Sequence, residues 1–460
     1  MSPQHTAFLA LGSNLGDRAA NLHRALQLLK PFASVDATSF LYETAPAYIT
    51  DQPAFLNAVC RVMTELPPVA LLDRLRGIEH ELGRRRTVRY GPRSIDLDIL
   101  FYDDWRVAQE GLFIPHPLLA ERDFVLGPLC DLAPGMRHPQ SGNTMQELWD
   151  RLDAKPLPRV LPLGNHLWTW GRKTYVMGII NVTPDSFSGD GLLGEPAPDR
   201  IADEAVEQAR RFVEEGADGV DVGGQSTRPG HALVPVQEEM ARVIPIVRAL
   251  RQAVNIPISV DTFRSQVARE ALAAGAHMIN DVWALRFDAE VGHVAGESGA
   301  PLVLMHNSDR SLDAAYPASL RREQEELGVK LNGGDAVSAI REHLAERMAT
   351  AQSMGIARWQ LLADPGIGFG KLLGQNLEII RRLADIKGIG YPLLFGSSRK
   401  GFIGRTLGGL PPDQRLEGTL ATNVLAAAGG ADIVRVHDVL ATVRCLRMTD
   451  AVLRDNHDLP

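Results

Sequence analysis

The sharpest chemical signal in the 460-residue chain is the string GPRSIDLDILFYD at 91–103. Side chains on a strand alternate between faces, so Asp96 and Asp98 fall on one side while Ile95, Leu97 and Ile99 fall on the other. Two carboxylates about 7 Å apart on one face suit a hard cation such as Mg2+, whose remaining ligands would be water and phosphate oxygen. Arg84, Arg85, Arg86, Arg89 and Arg93 crowd the approach. Guanidinium forks match phosphate oxygens, and a metal with arginines is the usual equipment of phosphoryl transfer.

A second set of chemistry-bearing residues is spread over the rest of the chain. Apolar runs at 175–182, 219–224, 257–262, 277–282, 301–306, 359–366, 392–398 and 432–438 each end in a polar cluster. Those ends carry Asn181, Gly223 with Gly224, Asp261, Asn280 with Asp281, His306, Asp364, Ser397 with Ser398, and His437. One such ending could cap a turn or a helix. Eight of them imply one shared ligand.

The elements that must position these residues follow from the same pattern. Continuous apolar runs suit parallel strands covered on both faces, and eight of them separated by amphipathic stretches suit a TIM barrel of about 250 residues. An open doubly wound sheet is the competitor, but the glycine-rich turns do not form GxGxxG. In a barrel the C-terminal strand ends meet at one mouth. Before residue 158 the rhythm is different: short strands alternate irregularly with helical stretches near 18–30 and 67–82, as in an α+β domain. Pro156, Pro158 and Pro162 defeat a helix between the two regions. The expected division is therefore a first domain at 1–158, a linker at 159–173 and a barrel domain at 174–460.

Composition limits the alternatives. Hydrophobic residues make up 45% and charged residues 23%, a globular balance that excludes a mostly disordered chain. No apolar run is long enough to span a bilayer, and the first residues read as a strand and not as a leader, so no membrane partner is expected. Three cysteines without a shared motif exclude a disulfide scaffold and a cysteine-built zinc site, and suggest a reducing cytoplasm. A net charge of −8 argues against a broad nucleic-acid surface.

The strings ALGSNLGD, YETAP, DQPAFLNAV, GPRSIDLDIL and PHPLLAERDFVLGPL, in that order, resemble 6-hydroxymethyl-7,8-dihydropterin pyrophosphokinase across nearly all of 5–155. The resemblance implies a ferredoxin-like α+β fold and transfer of a diphosphate from ATP to the pterin hydroxymethyl group. By matching motif, Asp96 and Asp98 would carry two Mg2+ ions. Phe55 and Phe124 would sandwich the pterin, and Thr44 and Asn57 would bond its polar edge. Glu79, Arg84, Arg93, His116 and Arg122 would surround ATP and the migrating diphosphate.

The strings MGIINVTPDSFSGDG, DVGGQSTRPG, SVDTF, IND, ADPGIGFGK, GSSRKGFIG and RVHD resemble dihydropteroate synthase over about 175–455. That family is a TIM barrel joining pterin diphosphate to 4-aminobenzoate. The resemblance implies that Asp261, Asn280, Asp364 and Lys400 grip the pterin, with Asp261 and Lys400 catalytic. Thr227, Arg228, Arg435 and His437 would hold the diphosphate, with Asn181 on one Mg2+. Ser398, Phe369 and Pro229 would line the aminobenzoate site, and a homodimer would form through the barrel. Gln225 stands where that family commonly has Glu, and Gly401 where many relatives carry a hydroxyl residue. The rivals are a pterin-binding methyltransferase barrel, which has no use for the anion clamp at 398–400 and 435–437, and a chain in which one domain only binds pterin.

Overall fold

The computed structural model describes residues 3–84, 91–152, 157–182, 198–225, 233–312 and 315–454. They form two compact units: 1–162 with 167–169 and 357–359, and the remainder of the chain.

The first unit is built on an antiparallel sheet. Its strands are β1 (His5–Ser13), β2 (Ala33–Thr38), β3 (Tyr42–Thr44), β4 (Phe55–Thr64) and β5 (Asp96–Tyr102). The order is β2-β4-β1-β5, with β3 on β4. With helices α1 (Arg18–Leu29) after β1 and α2 (Pro68–Glu81) after β4, this is the ferredoxin-like plan. Asp17 starts α1 by accepting the Ala20 N–H, and Pro68 opens α2 where a missing N–H costs nothing. Leu9, Leu11, Leu97 and Ile99 pack under Leu22, Leu26, Leu71 and Leu75 of these helices.

The opposite face holds a second core. Phe8, Val59, Leu100 and Phe101 meet Val125, Leu126 and Leu129 of α3 (Asp123–Leu132) and Met145 of α4 (Met145–Arg151). These two helices were not visible as periodic stretches: Gly127 and Pro128 interrupt α3, and α4 has only seven residues. Thr144 and Glu147 close a reciprocal capping box that starts α4. The segment expected as a linker carries a two-stranded hairpin, β8 (Val160–Leu163) with β9 (His166–Thr169), beyond the small hairpin β6 (Val107–Gln109) and β7 (Leu112–Ile114). Prolines exclude helix there but leave extended backbone open.

The second unit is the eight-stranded parallel barrel. Its strands are β10 (Tyr175–Asn181), β11 (Gly219–Gly223), β12 (Ile258–Asp261), β13 (Met278–Asp281), β14 (Leu302–Met305), β15 (Leu361–Asp364), β16 (Leu394–Phe395) and β17 (Ile433–Val436). They run in the order β15-β14-β13-β12-β11-β10-β17-β16. A parallel bridge between Ala363 and Leu393 joins the two ends of that order, so the competing open sheet is excluded. All eight sequence runs contain a strand, though the run at 392–398 supplies only two residues before the chain turns away.

Candidate active sites

In the first unit, the register aligns the chemistry. Gly12 lies opposite Asn57 on one side and Asp96 on the other, and Ala10 lies opposite Asp98. Asp96, Asp98, Phe55 and Asn57 therefore share one face at one end of the sheet. A Cβ at Gly12 would stand 3.0 Å from Asn57 Oδ1, so that amide would have to give by a few tenths of an ångström. Asn57 donates to Thr44 Oγ1 at 2.7 Å.

Asp96 is gripped from both sides, by Arg93 at 2.7 Å and Arg84 at 2.8 Å. Arg84 also pairs with Glu79, whose Oε1 accepts the Leu97 N–H at 2.9 Å. Burial holds the Glu79 carboxyl above its usual range. Asp98 differs from Asp96: among the described residues no donor reaches it. Burial and the Asp96 charge push its carboxyl up to about 7. A half-buried carboxylate facing a second carboxylate, with no donor of its own, fits a cation ligand. The donor set suits Mg2+.

His116 is neutral at physiological pH, lowered to about 4 by burial and by Arg122. Its Nδ1 accepts the Leu118 N–H at 3.3 Å, which leaves the ring proton on Nε2 as a donor. Arg122 lies 5.6 Å from the Phe124 ring centre and 5.7 Å from that of Tyr48. Arg85, Arg86 and Arg89 lie outside the described residues. Asn14 organises this end of the sheet. Asn14 donates to Gln52 Oε1 and to the Pro53 carbonyl, both at 3.0 Å, while its Oδ1 accepts the Arg93 N–H at 2.7 Å. It ties the arginine strand end to the loop before Phe55; its only sequence signal is its place in ALGSNLGD.

In the barrel, Asp261, Asn280, Asp364, Lys400 and Arg435 come together at the C-terminal strand ends. Not all eight polar endings do: His306 packs against His343, Ser397 bonds Thr422, and Asp281 accepts the Trp283 and Leu285 N–H of its own turn. Arg435 bridges two buried carboxylates, Asp221 at 2.5 Å and Asp261 at 3.0 Å. Asn280 donates to Asp221 at 3.1 Å. Burial, with the neighbouring carboxylates, pushes Asp261 up to about 7 against the pull of Arg435. Asp364 accepts the Gly366 N–H at 2.6 Å and is also raised by burial. Lys400 donates to the Ile367 carbonyl, and its ammonium sits 4.4 Å from the Phe369 ring centre. Burial lowers it to about 8, with Asp364 opposing. Ser398 Oγ and His437 Nδ1 are 3.0 Å apart. Asn181 ends β10 beside Gly223. Thr227, Arg228 and Pro229 lie outside the described residues.

The loop under Lys400 is built by Lys371, a residue with no local signal of that role. Its buried ammonium donates to the carbonyls of His306 at 3.1 Å, Gly366 at 2.7 Å and Phe369 at 3.2 Å. Gly366, at φ +65°, packs so tightly that a Cβ would stand 1.9 Å from the His306 oxygen. Gln225 accepts the Val234 N–H at 2.8 Å. Replacing a carboxylate by this amide keeps the acceptor and drops the charge. Gly401 is exposed at the first position of helix Gly401–Thr406.

The chain thus pairs a ferredoxin-like unit bearing a carboxylate–arginine face with a parallel barrel bearing a buried acid–base mouth. Comparison with known proteins gives the family. Residues 8–134 match the 7,8-dihydro-6-hydroxymethylpterin-pyrophosphokinase model and 177–437 the pterin binding enzyme model. The mitochondrial folate synthesis bifunctional protein of Arabidopsis thaliana is 39% identical, over 98% of this chain and 84% of its own. A Xanthomonas albilineans dihydropteroate synthase solved with 4-aminobenzoic acid is 39% identical, covering 65% of this chain and 99% of its own, with a TM-score of 0.56. The Plasmodium falciparum two-domain pyrophosphokinase–synthase shares the fold over 98% of both chains (TM-score 0.76) at 22% identity. The chain belongs to the bifunctional folate-synthesis family, pairing a hydroxymethyl-dihydropterin pyrophosphokinase with a dihydropteroate synthase. Its two steps are diphosphate transfer to the pterin and formation of dihydropteroate.

Proposed function

We propose that each step is carried by the side chains gathered above, and that ATP, 6-hydroxymethyl-7,8-dihydropterin and 4-aminobenzoate are the substrates. In the first unit, Asp96 and Asp98 would hold two Mg2+ ions, which neutralise charge on the triphosphate when bound. Phe55 and Phe124 stack the pterin, with Thr44 and Asn57 on its polar edge. Arg84, Arg93, Arg122 and the Nε2–H of His116 take phosphate oxygens, and Glu79 anchors Arg84 to the strand carrying both aspartates. The pterin hydroxyl oxygen forms the new bond to the β-phosphorus of ATP as the bond from that phosphorus to the AMP oxygen breaks; AMP leaves and the hydroxyl proton passes to solvent.

In the barrel, Asp261, Asn280, Asp364 and Lys400 hold the pterin. Arg435 and His437, with Thr227 and Arg228, hold the diphosphate, and Asn181 is the ligand we assign to a single Mg2+. The carbon–oxygen bond breaks toward a cationic methylene that the Asp261 carboxylate stabilises. The aminobenzoate amine, placed by Ser398, Phe369 and Pro229, attacks that carbon and loses a proton, and pyrophosphate departs. No protein nucleophile is needed.

The observation that carries this reading is the convergence of Asp261, Asn280, Lys400 and Arg435 from four separate strand ends on one buried mouth. That mouth includes the anion clamp that a methyltransferase barrel would not need. Exposed Leu425, Met448 and Val452 on the helices Leu416–Ala428 and Val439–Leu453 support a homodimer through the barrel. Three unpaired cysteines suit a reducing compartment, in our reading the cytoplasm. Among the described residues no helix is long and apolar enough to cross a membrane.

The test is to supply the hydroxymethyl-dihydropterin, ATP, Mg2+ and 4-aminobenzoate and to assay AMP and dihydropteroate. Both should form, and leaving out ATP should stop both. Dihydropteroate from pre-made pterin diphosphate without AMP formation in the full mixture would instead make the first unit a binding module.

A further inference from the structure

Asp221 at the barrel mouth has none of its surface exposed, and the roles above leave it unused. It sits within the apolar run of β11, opposite Ile179 on β10 and Ser259 on β12. A single oxygen, Oδ2, accepts from two donors brought in by two other strands: Arg435 Nε of β17 at 2.5 Å and Asn280 Nδ2 of β13 at 3.1 Å. Its other oxygen is buried with no partner among the described residues, and so is Asn280 Oδ1.

We infer that Asp221 is a positioning residue for the condensation step, which sets the facing of the Asn280 amide and the lie of the Arg435 guanidinium together. The inference rests on the reading of this mouth as the pterin diphosphate site. An amide can present either its NH2 or its oxygen, and the two are close in shape. One N–H of Asn280 is held on Asp221 Oδ2, so the amide cannot flip, and its second N–H and its oxygen keep fixed directions. Bare buried acceptors are costly unless a ligand meets them. The mouth therefore presents an amide of fixed facing, and the heterocycle edge that matches its remaining N–H and its oxygen is the one it selects. On the other side, the Nε contact fixes the guanidinium through its stem. Its terminal nitrogens, one of which reaches Asp261 at 3.0 Å, are thereby held in place for the diphosphate role proposed for Arg435.

The experiment runs the condensation from pre-made pterin diphosphate and 4-aminobenzoate on the full chain, so that only the barrel is read. Two inhibitors separate the two arms: 6-hydroxymethylpterin, which has no phosphate, and inorganic pyrophosphate, which has no ring. Asp221→Asn should weaken both inhibition constants by roughly tenfold or more. Asn280→Ala should weaken the pterin arm alone. In the Asp221→Asn/Asn280→Ala double variant, the pterin-arm effects should fall well short of additivity, because one residue acts through the other. Asn280→Asp leaves Asp221 in place but sets a carboxylate against it; it should damage the pterin arm more than Asn280→Ala, which keeps the test open if Asp221→Asn does not fold. Unchanged inhibition constants per folded molecule in Asp221→Asn, or simple additivity in the double variant, would overturn the inference. If neither compound inhibits the wild-type chain, the reading of the mouth itself fails, and not merely the role of Asp221.

Discussion

Replacing Asp261 by Asn keeps the shape of the barrel mouth and removes one charge. A unit charge about 4 Å from a developing cation is worth ~4 kcal/mol at an effective dielectric of ~20. Arg435 opposes part of it, but this guanidinium is shared with Asp221, so roughly half of its charge bears on Asp261. That leaves about 2–4 kcal/mol, a fall of roughly 30- to 1000-fold in the condensation rate. The pH profile gives a second handle. The Asp261 carboxyl, pushed up to about 7, is protonated and inactive below that pH. Lys400, lowered to about 8, loses its charge above that pH. The kcat/KM of the second step should therefore form a narrow bell between these values, and Asp261→Asn should flatten its acid limb. Stability should move the other way. A carboxyl raised on folding stabilises the fold most at low pH, and that contribution is lost as pH rises from about 4 to 7. The neutral amide should thus leave the melting temperature at pH 8 unchanged or higher. Turnover is measured on folded protein from pre-made pterin diphosphate, beside a thermal melt. Normal turnover per folded molecule with a lowered melting temperature would refute the argument and make Asp261 a structural cap.

Asp98→Ala should cut AMP formation by at least roughly a hundredfold, as loss of a group meeting transition-state charge does, and leave the second step intact when pre-made intermediate is supplied. Gly12→Ala places a methyl 3.0 Å from Asn57 Oδ1 and should raise the pterin KM of the first step while the ATP KM holds, read from initial rates. Gly366→Ala puts a Cβ 1.9 Å from the His306 carbonyl at a positive φ; a loss of about 3 kcal/mol or more in urea unfolding is expected for such a backbone clash. Lys371→Met strips three carbonyls of their donor, and condensation should fall while first-step AMP release continues.

Much of the site was legible in the chain because the period of a strand is short and local. Alternation alone placed Asp96 and Asp98 on one face, with Ile95, Leu97 and Ile99 in the core behind them. Eight apolar runs with polar endings gave the barrel and the mouth, since a parallel strand must be apolar on both faces until it emerges. Helix was harder to read where Gly127 and Pro128 broke the period of α3, although tertiary packing against Phe8 and Phe101 still holds it.

What the sequence alone could not supply is the pairing of groups distant along the chain. Asp221 lies inside GVDVGG, where nothing local separates it from a strand residue. Its meaning arises only when closure of the barrel brings Asn280, 59 residues on, and Arg435, 214 residues on, to one carboxylate oxygen. Lys371 likewise looks like an ordinary loop lysine until the turn at Gly366 folds three carbonyls around it. Residue type and spacing determine which chemistry is present, because they set charge and strand period. The neighbours that shift Asp261 and Lys400 toward neutrality are chosen by the closed fold, because burial and long-range charge have no counterpart in a local stretch of chain.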